Sequence, residues 1–461
     1  MTFISPVQAY KLSRITLIIM LVTSPILLGG NRHIFEIINL ALAACAIFLF
    51  ALSGKLNQLI NTAQNNTRYI IIFMFMAIPL WMIFQASSYT PQFLHHPIWQ
   101  QLGLQTGGAV SLNSGLTWGA LMGYLSLSVV LIGIYMAIAD LKAALKLQLI
   151  CLIIINLITI FGLVTYLFEF QTLGIVDKIY FNGWLTATFV YKNAAANFIG
   201  FGMIICAVYL LELIVHKKSW LKTLNRETQI FIFSANFIIL SLAQILTGSR
   251  GGVVSTLIGL FLILFIVIYG VRKQHKRKPN LQNSHRPWPL YLVILAAFIL
   301  TAIALYYLAE NRGGNSAIGS TQARLYLIAD AVSAIFERPI LGYGAGTYID
   351  VEPLFHMFNV NDGMVWNKLH STHMELMLTL GLPVMLISYI LIIWLFIHLV
   401  RRSVRSSANW QLTLPAIAII TSMMVHASLD FTLQIPAIAL FSSILVSLSF
   451  NQKGRKNPKF S

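Results

Sequence analysis

Residues 228–270 read TQIFIFSANFIILSLAQILTGSRGGVVSTLIGLFLILFIVIYG, two long apolar runs with a single charged residue, Arg250, between them. Each run has about the 20 mainly apolar residues that a helix needs to cross the hydrocarbon core of a bilayer. The stretch predicts two membrane spans joined by the turn LTGSRGG at 246–252. An arginine there is costly to hold unless it meets an anion or reaches water.

The same pattern recurs along the chain. Apolar segments fall at about 15–30, 34–52, 69–86, 117–139, 147–168, 193–215, 229–247, 252–271, 289–309, 374–400, 411–429 and 433–450. With 57% hydrophobic residues, 10% charged residues and a mean hydropathy of +0.77, the composition excludes a soluble domain with a large core. The expectation is an all-α polytopic membrane protein of about 12 transmembrane helices. It forms one integral domain over 1–461, with no appended soluble domain and no internal repeat. The first apolar run lacks a small-residue cleavage site and reads as an uncleaved span. Cys45, Cys151 and Cys206 lie within apolar segments without metal-ligand spacing, so they read as packing or lipid-facing residues.

A net charge of +17 raises the question of nucleic acid. The placement of the charge answers it. If the N-terminus lies inside, most of the 31 Lys and Arg residues occupy alternate loops, as the positive-inside rule requires. The basic balance therefore sets topology and attracts anionic headgroups rather than nucleic acid. Eight cations remain outside: Arg32, Lys178, Lys192, Arg250, Arg312, Arg324, Arg338 and Lys368. Each works against the insertion bias and calls for a reason.

Two outer segments exceed simple connectors, about 87–116 and the larger 310–373. In the second, TQARLYLIADAVSAIFE at 321–337 has helical period, with Ser320 or Thr321 as cap and Pro339 as terminator. On a wheel, Gln322, Tyr326, Asp330, Ser333 and Glu337 share a polar face, opposite Leu325, Ile328, Val332, Ile335 and Phe336. This predicts an amphipathic helix on the outer surface of the bundle. Arg324 falls on its apolar face, where a lone charge needs a carboxylate, carbonyl oxygens, a ligand anion or a route to the headgroups.

Lys192, Arg250 and His370 each precede a span that runs inward, the last ahead of a capping box in which Thr372 is the cap and Glu375 its partner. Helix N-termini attract anions, and the glycines beside Arg250 allow backbone N–H groups to converge on a phosphate. Cations gathered at such ends make sense around something strongly negative. GYGAGTY at 342–348 lacks a strand–helix setting and reads as a tight turn, and His95-His96 lacks the partners of a metal site. Asp430 either pairs with a cation of the site or faces water.

At these residues the chain resembles the O-antigen ligase/polymerase superfamily of bacterial envelope glycosyltransferases. The likeness is carried by TGSRGG at 247–252, by ARLYLIADAVSAIFERPILGYGAGTY at 323–348, by His370 followed eleven residues later by Gly381, and by HASLDFTLQIPA at 426–437. TATFVYKNAAANF at 186–198 resembles a segment in which many relatives have an Asn-Arg-Asn-like run, here with Lys192. The likeness covers 186–440. It implies a GT-C-like helical fold with a large periplasmic loop at 310–373, in the bacterial inner membrane, with both termini cytoplasmic. It further implies an undecaprenyl-diphosphate-linked glycan donor and an acceptor that is lipid A-core, a growing glycan or a protein, with no cofactor and no metal. Carried over, Arg250 and Arg324 neutralise the leaving diphosphate while His370 acts on the acceptor hydroxyl or orients the donor. Lys192, Arg338 and His373 join them as donor- or glycan-binding candidates. One position departs from the ligase pattern: after His370-Ser371 and Gly381, Val384 stands where a threonine is expected. Ligase, polymerase and pilin-type protein glycosyltransferase thus stay open. A transporter or flippase, which concentrates ionisable residues near the midplane, fits less well.

Overall fold

In the computed structural model, residues 4–63, 65–103, 107–215, 223–277, 314–355, 366–405 and 410–450 are described. The chain is a bundle of helices: α1 (Pro6–Ile26), α2 (His33–Leu52), α3 (Thr67–Ala86), α4 (Ser114–Ala139), α5 (Leu141–Leu167), α6 (Lys192–Val215), α7 (Arg226–Leu246) and α8 (Arg250–Arg277), then α9 (Gly314–Glu337), α10 (Tyr348–Phe355), α11 (Thr372–Leu380), α12 (Leu382–Arg405), α13 (Trp410–Ala427) and α14 (Pro436–Phe450). Among the described residues, ten helices are long and apolar enough to cross a membrane, and α14 is an eleventh, shorter one. The expected span at 289–309 and the polar inner loop at 272–288 lie wholly or largely outside the described residues.

Local chemistry explains the helix starts. Ser5 accepts from the Gln8 amide in a capping box, Asn113 from Leu116, Asp140 from Ala143 and Asn225 from Thr228. Helices α6 and α13 form the centre, being the most enclosed of the spans, while α12 lies at the rim with little of its surface covered. Small residues let the central helices close up. A Cβ at Gly200 would run into Thr256 and Gln244, and one at Gly259 would sit 2.8 Å from the Ala418 carbonyl. The large side chains of Phe198, Phe201, Tyr209 and Phe441 fill what remains. Cys151 and Cys206 are buried and Cys45 is exposed on α2.

Three sequence expectations are corrected. The apolar segment 374–400 is not one helix but two, broken at Gly381, which has φ +87°. The chain pinches there because Leu382 N–H donates to the Pro339 carbonyl and any Cβ on Gly381 would collide with the Ile340 carbonyl. The loop helix α9 begins at Gly314 rather than at a Ser320 or Thr321 cap. Its inward face is Leu327, Asp330, Ala331, Ala334 and Ile335, packed on α10 and α11. The wheel had put Asp330 on the outer polar face and Leu325, Val332 and Phe336 on the core side. The structure buries the aspartate and leaves those three apolar residues exposed. The small alanines allow the closer approach, which hydrophobicity alone does not reveal. Finally, Ser371, not Thr372, caps α11, accepting from the Met374 amide.

GYGAGTY is the expected tight turn. Gly342, Gly344 and Gly346 all have positive φ, and the strip 342–344 lies against α11 through Tyr343 N–H to Leu378 O and Gly344 N–H to Thr379 O.

Candidate functional site

The turn that opened the sequence reading is a compact joint. Thr247 Oγ1 donates to Gln244 O at the end of α7, and Gly248 turns the chain at φ +64° against the Trp184 ring, which a Cβ would strike. Ser249 Oγ then accepts from Gly252 N–H at 3.2 Å and opens α8. Gly252 is needed for packing as well as for N–H exposure, since a Cβ there would meet Ala196, whereas one at Gly251 would only touch His426. The first two amides of α8, those of Arg250 and Gly251, retain the unpaired character of a helix start. The Arg250 side chain is exposed, and among the described residues it makes no hydrogen bond or ion pair.

Two more cations share this corner. Lys192 is the first residue of α6; its ammonium donates to Gly248 O at 3.4 Å and lies 4.3 Å above the Trp184 ring centroid and 5.9 Å above that of Phe181. Both Arg250 and Arg324 are close enough for their charges to act on it. Arg324 reaches across from α9 and donates from Nη1 to the Leu429 carbonyl at 3.2 Å.

His370 sits one residue before the α11 cap. Its ring packs edge-on against Trp366 and Phe431, and its Nδ1 is buried without a hydrogen-bond partner. Burial first, and then the Arg324 charge, push its pKa down to about 4 against the opposing pull of Asp430. The imidazole is therefore neutral at pH 7. Its loop is braced: Glu375 Oε2 accepts from Leu369 N–H at 2.9 Å, and Lys368 spans Glu375 Oε1 at 3.4 Å and Gln434 Oε1 at 2.7 Å. That bridge is the reason for Lys368, one of the outer cations.

Asp430 is the hub that joins these pieces. It is 2% exposed, so of the two alternatives facing water is ruled out. Its Oδ2 accepts from Tyr191 Oη at 2.8 Å and Asn193 Nδ2 at 2.6 Å, its Oδ1 accepts from Thr432 N–H at 3.2 Å, and His426 Nε2 lies 3.9 Å away. Its backbone carbonyl takes both Thr372 N–H and Thr372 Oγ1, which ties the α13–α14 turn to the start of α11. The Tyr191 hydroxyl is pushed well above its usual range by burial and by this carboxylate. Tyr191, Asn193, His426 and Thr432 were not among the sequence candidates, although all four lie in the two motifs quoted above. Nothing in a single sequence pairs positions more than 200 residues apart.

The structure thus groups Lys192, Arg250, Arg324 and His370, and leaves two candidates aside. Arg338 is 14 residues beyond Arg324 on α9 and its end, about 20 Å along a helix axis. There it donates to Leu94 O at 3.3 Å and covers the Tyr343 ring. Burial and this Arg338 charge push the neighbouring His96 down to about 4. His373 is engaged with Met424 O at 2.9 Å and with the Tyr389 ring. No cluster of three or more His, Cys, Asp or Glu suited to a metal ion exists among the described residues.

The helical membrane bundle thus brings a cationic corner beside a neutral, buried histidine. Residues 235–389 match the family model described as O-antigen ligase, which supports the resemblance read from the motifs and membrane glycosyl transfer of the O-antigen ligase/polymerase type. The match includes Arg250, Arg324 and His370 but stops short of Lys192 on one side and Asp430 on the other. No curated protein matches the chain.

Proposed function

We propose that the protein transfers a glycan from undecaprenyl diphosphate to an acceptor hydroxyl at the periplasmic face of the inner membrane, in the manner of an O-antigen ligase. The observation that carries this reading is the meeting of Arg250, Arg324 and Lys192 from three separate elements next to His370. Like charges gather at a cost unless an anion offsets them, and a diphosphate is an anion of the right strength. In this reading the acceptor oxygen attacks the anomeric carbon as the C–O bond to the diphosphate breaks, inverting the centre. The diphosphate leaves with the bonding electron pair, and its growing charge is met by the two guanidiniums, the ammonium and the α8 N-terminus. His370, neutral at pH 7, receives the hydroxyl proton. No metal is needed for these steps. Arg338 and His373, which touch none of these groups, are assigned to glycan farther from the diphosphate.

The test is transfer in vitro, with donor lipid and acceptor supplied. Arg250→Ala, Arg324→Ala and His370→Ala should each lower kcat/KM about a hundredfold or more, the usual effect of removing one transition-state donor. Wild-type turnover in all three variants sinks the site. Polymerase and protein-glycosyltransferase activities are separated from ligase by the glycans of a knockout: long chains left on carrier for ligase, single repeat units for polymerase, missing pilin glycan for protein transfer.

A further inference from the structure

Around the cationic corner runs a feature that the diphosphate chemistry does not use. The Trp366 and His370 rings lie 5.4 Å apart between centroids, His370 and Phe431 5.3 Å, Phe431 and Tyr191 4.8 Å, and Tyr191 and Phe181 5.6 Å. The Lys192 ammonium then bridges the Phe181 and Trp184 faces. Six rings from three separate stretches of chain form one ribbon. All six are intermediate in accessibility, with Tyr191 and Phe431 packed at the edge of the main core and Trp366 at the edge of the cluster under α9. Phe181 is held at φ +60°, a left-handed conformation that a non-glycine residue keeps only where its surroundings impose it.

The ribbon also carries unanswered polar groups. Trp366 Nε1, His370 Nδ1 and the nearby Gln434 Nε2 are buried without hydrogen-bond partners. Gln434 is fixed by its other amide atom, which accepts from Lys368. Unpaired groups of this kind destabilise the empty protein. Flat apolar faces edged with unused polar groups suit a ligand that is apolar on its flat sides and hydroxylated at its rim. A pyranose ring has that form. A prenyl tail does not, because it leaves the polar edge unanswered.

We propose that Trp366, His370, Phe431, Tyr191, Phe181 and Trp184 form a carbohydrate platform on which pyranose rings of the glycan stack beside the diphosphate cations. This rests on the transfer reading and extends it to the sugar. The platform holds the glycan by its C–H faces, with Trp366 Nε1 and Gln434 Nε2 donating to ring hydroxyls. His370 therefore serves two purposes, one face in the ribbon and one nitrogen toward a hydroxyl.

The experiment is isothermal titration of the full-length protein in nanodiscs with two probes. One is the oligosaccharide released by mild acid from the surface glycan of the producing cells, which has no lipid and no phosphate. The other is inorganic pyrophosphate. Trp366→Ala and Phe181→Leu should each weaken oligosaccharide binding by roughly three- to tenfold, the scale of one aromatic contact. Pyrophosphate binding should stay unchanged in Trp366→Ala, and Trp366→Phe should recover part of the loss. The platform is overturned if both variants bind the oligosaccharide like wild type, or if wild type does not bind it. It is equally overturned if both variants lose both probes, for the rings would then be merely structural. Failure of the transfer reading looks different: the oligosaccharide binds and the variants weaken it, but wild type ignores pyrophosphate and transfers nothing.

Discussion

Asp430 offers the sharpest test of how the candidate site is held together. Its carboxylate receives three hydrogen bonds, from Tyr191 Oη, Asn193 Nδ2 and Thr432 N–H, at a position that water does not reach. Asp430→Ala strands the Tyr191 hydroxyl and Thr432 N–H, while Asn193 Nδ2 keeps its bond to Tyr191 Oη at 2.7 Å. At about 1–3 kcal/mol for each buried group left unsatisfied, with relaxation recovering part, the loss should be about 3–5 kcal/mol. Asp430→Asn has nearly the same shape but one acceptor oxygen. Whichever way the amide turns, it serves either the Tyr191–Asn193 side or Thr432, so at least one donor is stranded and the cost should be about 1–3 kcal/mol. The tie from Thr372 uses the Asp430 backbone carbonyl and should survive both changes. Thermal unfolding of the detergent-solubilised protein, followed at several scan rates because membrane proteins unfold irreversibly, should rank wild type above Asn and Asn above Ala. If Ala melts with wild type, or Asn below Ala, the hub does not work as described.

Other consequences follow from the same geometry. Because His370 is held near 4, it stays unprotonated down to about pH 5, and the acid limb of kcat/KM should fall through that low value rather than near 6.5; an acid limb centred at 6.5 would refute the neutral buried imidazole. The sign for stability is the same: the unfolded chain takes up this proton first, so folding weakens as pH drops from 6.5 toward 4. Chelation with EDTA should leave turnover unchanged, and restored activity on adding back a divalent cation would count against the mechanism. Gly381→Ala should destabilise far more than Gly54→Ala, although both glycines have positive φ, because the first Cβ meets the Ile340 carbonyl and the second meets open space. Equal melting temperatures for those two variants would remove the pinch between 339–342 and 379–382.

Much of the architecture was legible in the chain itself. Spans announce themselves because hydrocarbon admits only long apolar helices, and the ends at Arg250, Lys192 and Val215 fall within a few residues of those read from hydropathy. The outer cations stood out for the same reason, as exceptions to a one-sided charge distribution. Where the reading failed, packing had intervened. The run from 374 to 400 is uniformly apolar, so hydropathy passes over the break that a backbone contact from Ile340 imposes at Gly381. On α9, an exposed Phe336 and a buried Asp330 rotate the face that the wheel predicted, because Ala331 and Ala334 join Leu327 and Ile335 against the neighbouring helices.

The division of labour is therefore physical. Properties that depend on a residue and its near neighbours in the chain were settled by sequence: which segments are long and apolar enough to cross a membrane, and which charges are out of place. Properties that depend on through-space meetings were settled only by folding: Asp430 gathering donors from residues 191 and 193, His370 packing between Trp366 and Phe431, and Arg324 joining Lys192 while Arg338, on the same helix, is carried away to Leu94. Electrostatics and hydrogen bonds act over a few ångströms of space, whatever the separation along the chain, and no single sequence records that distance.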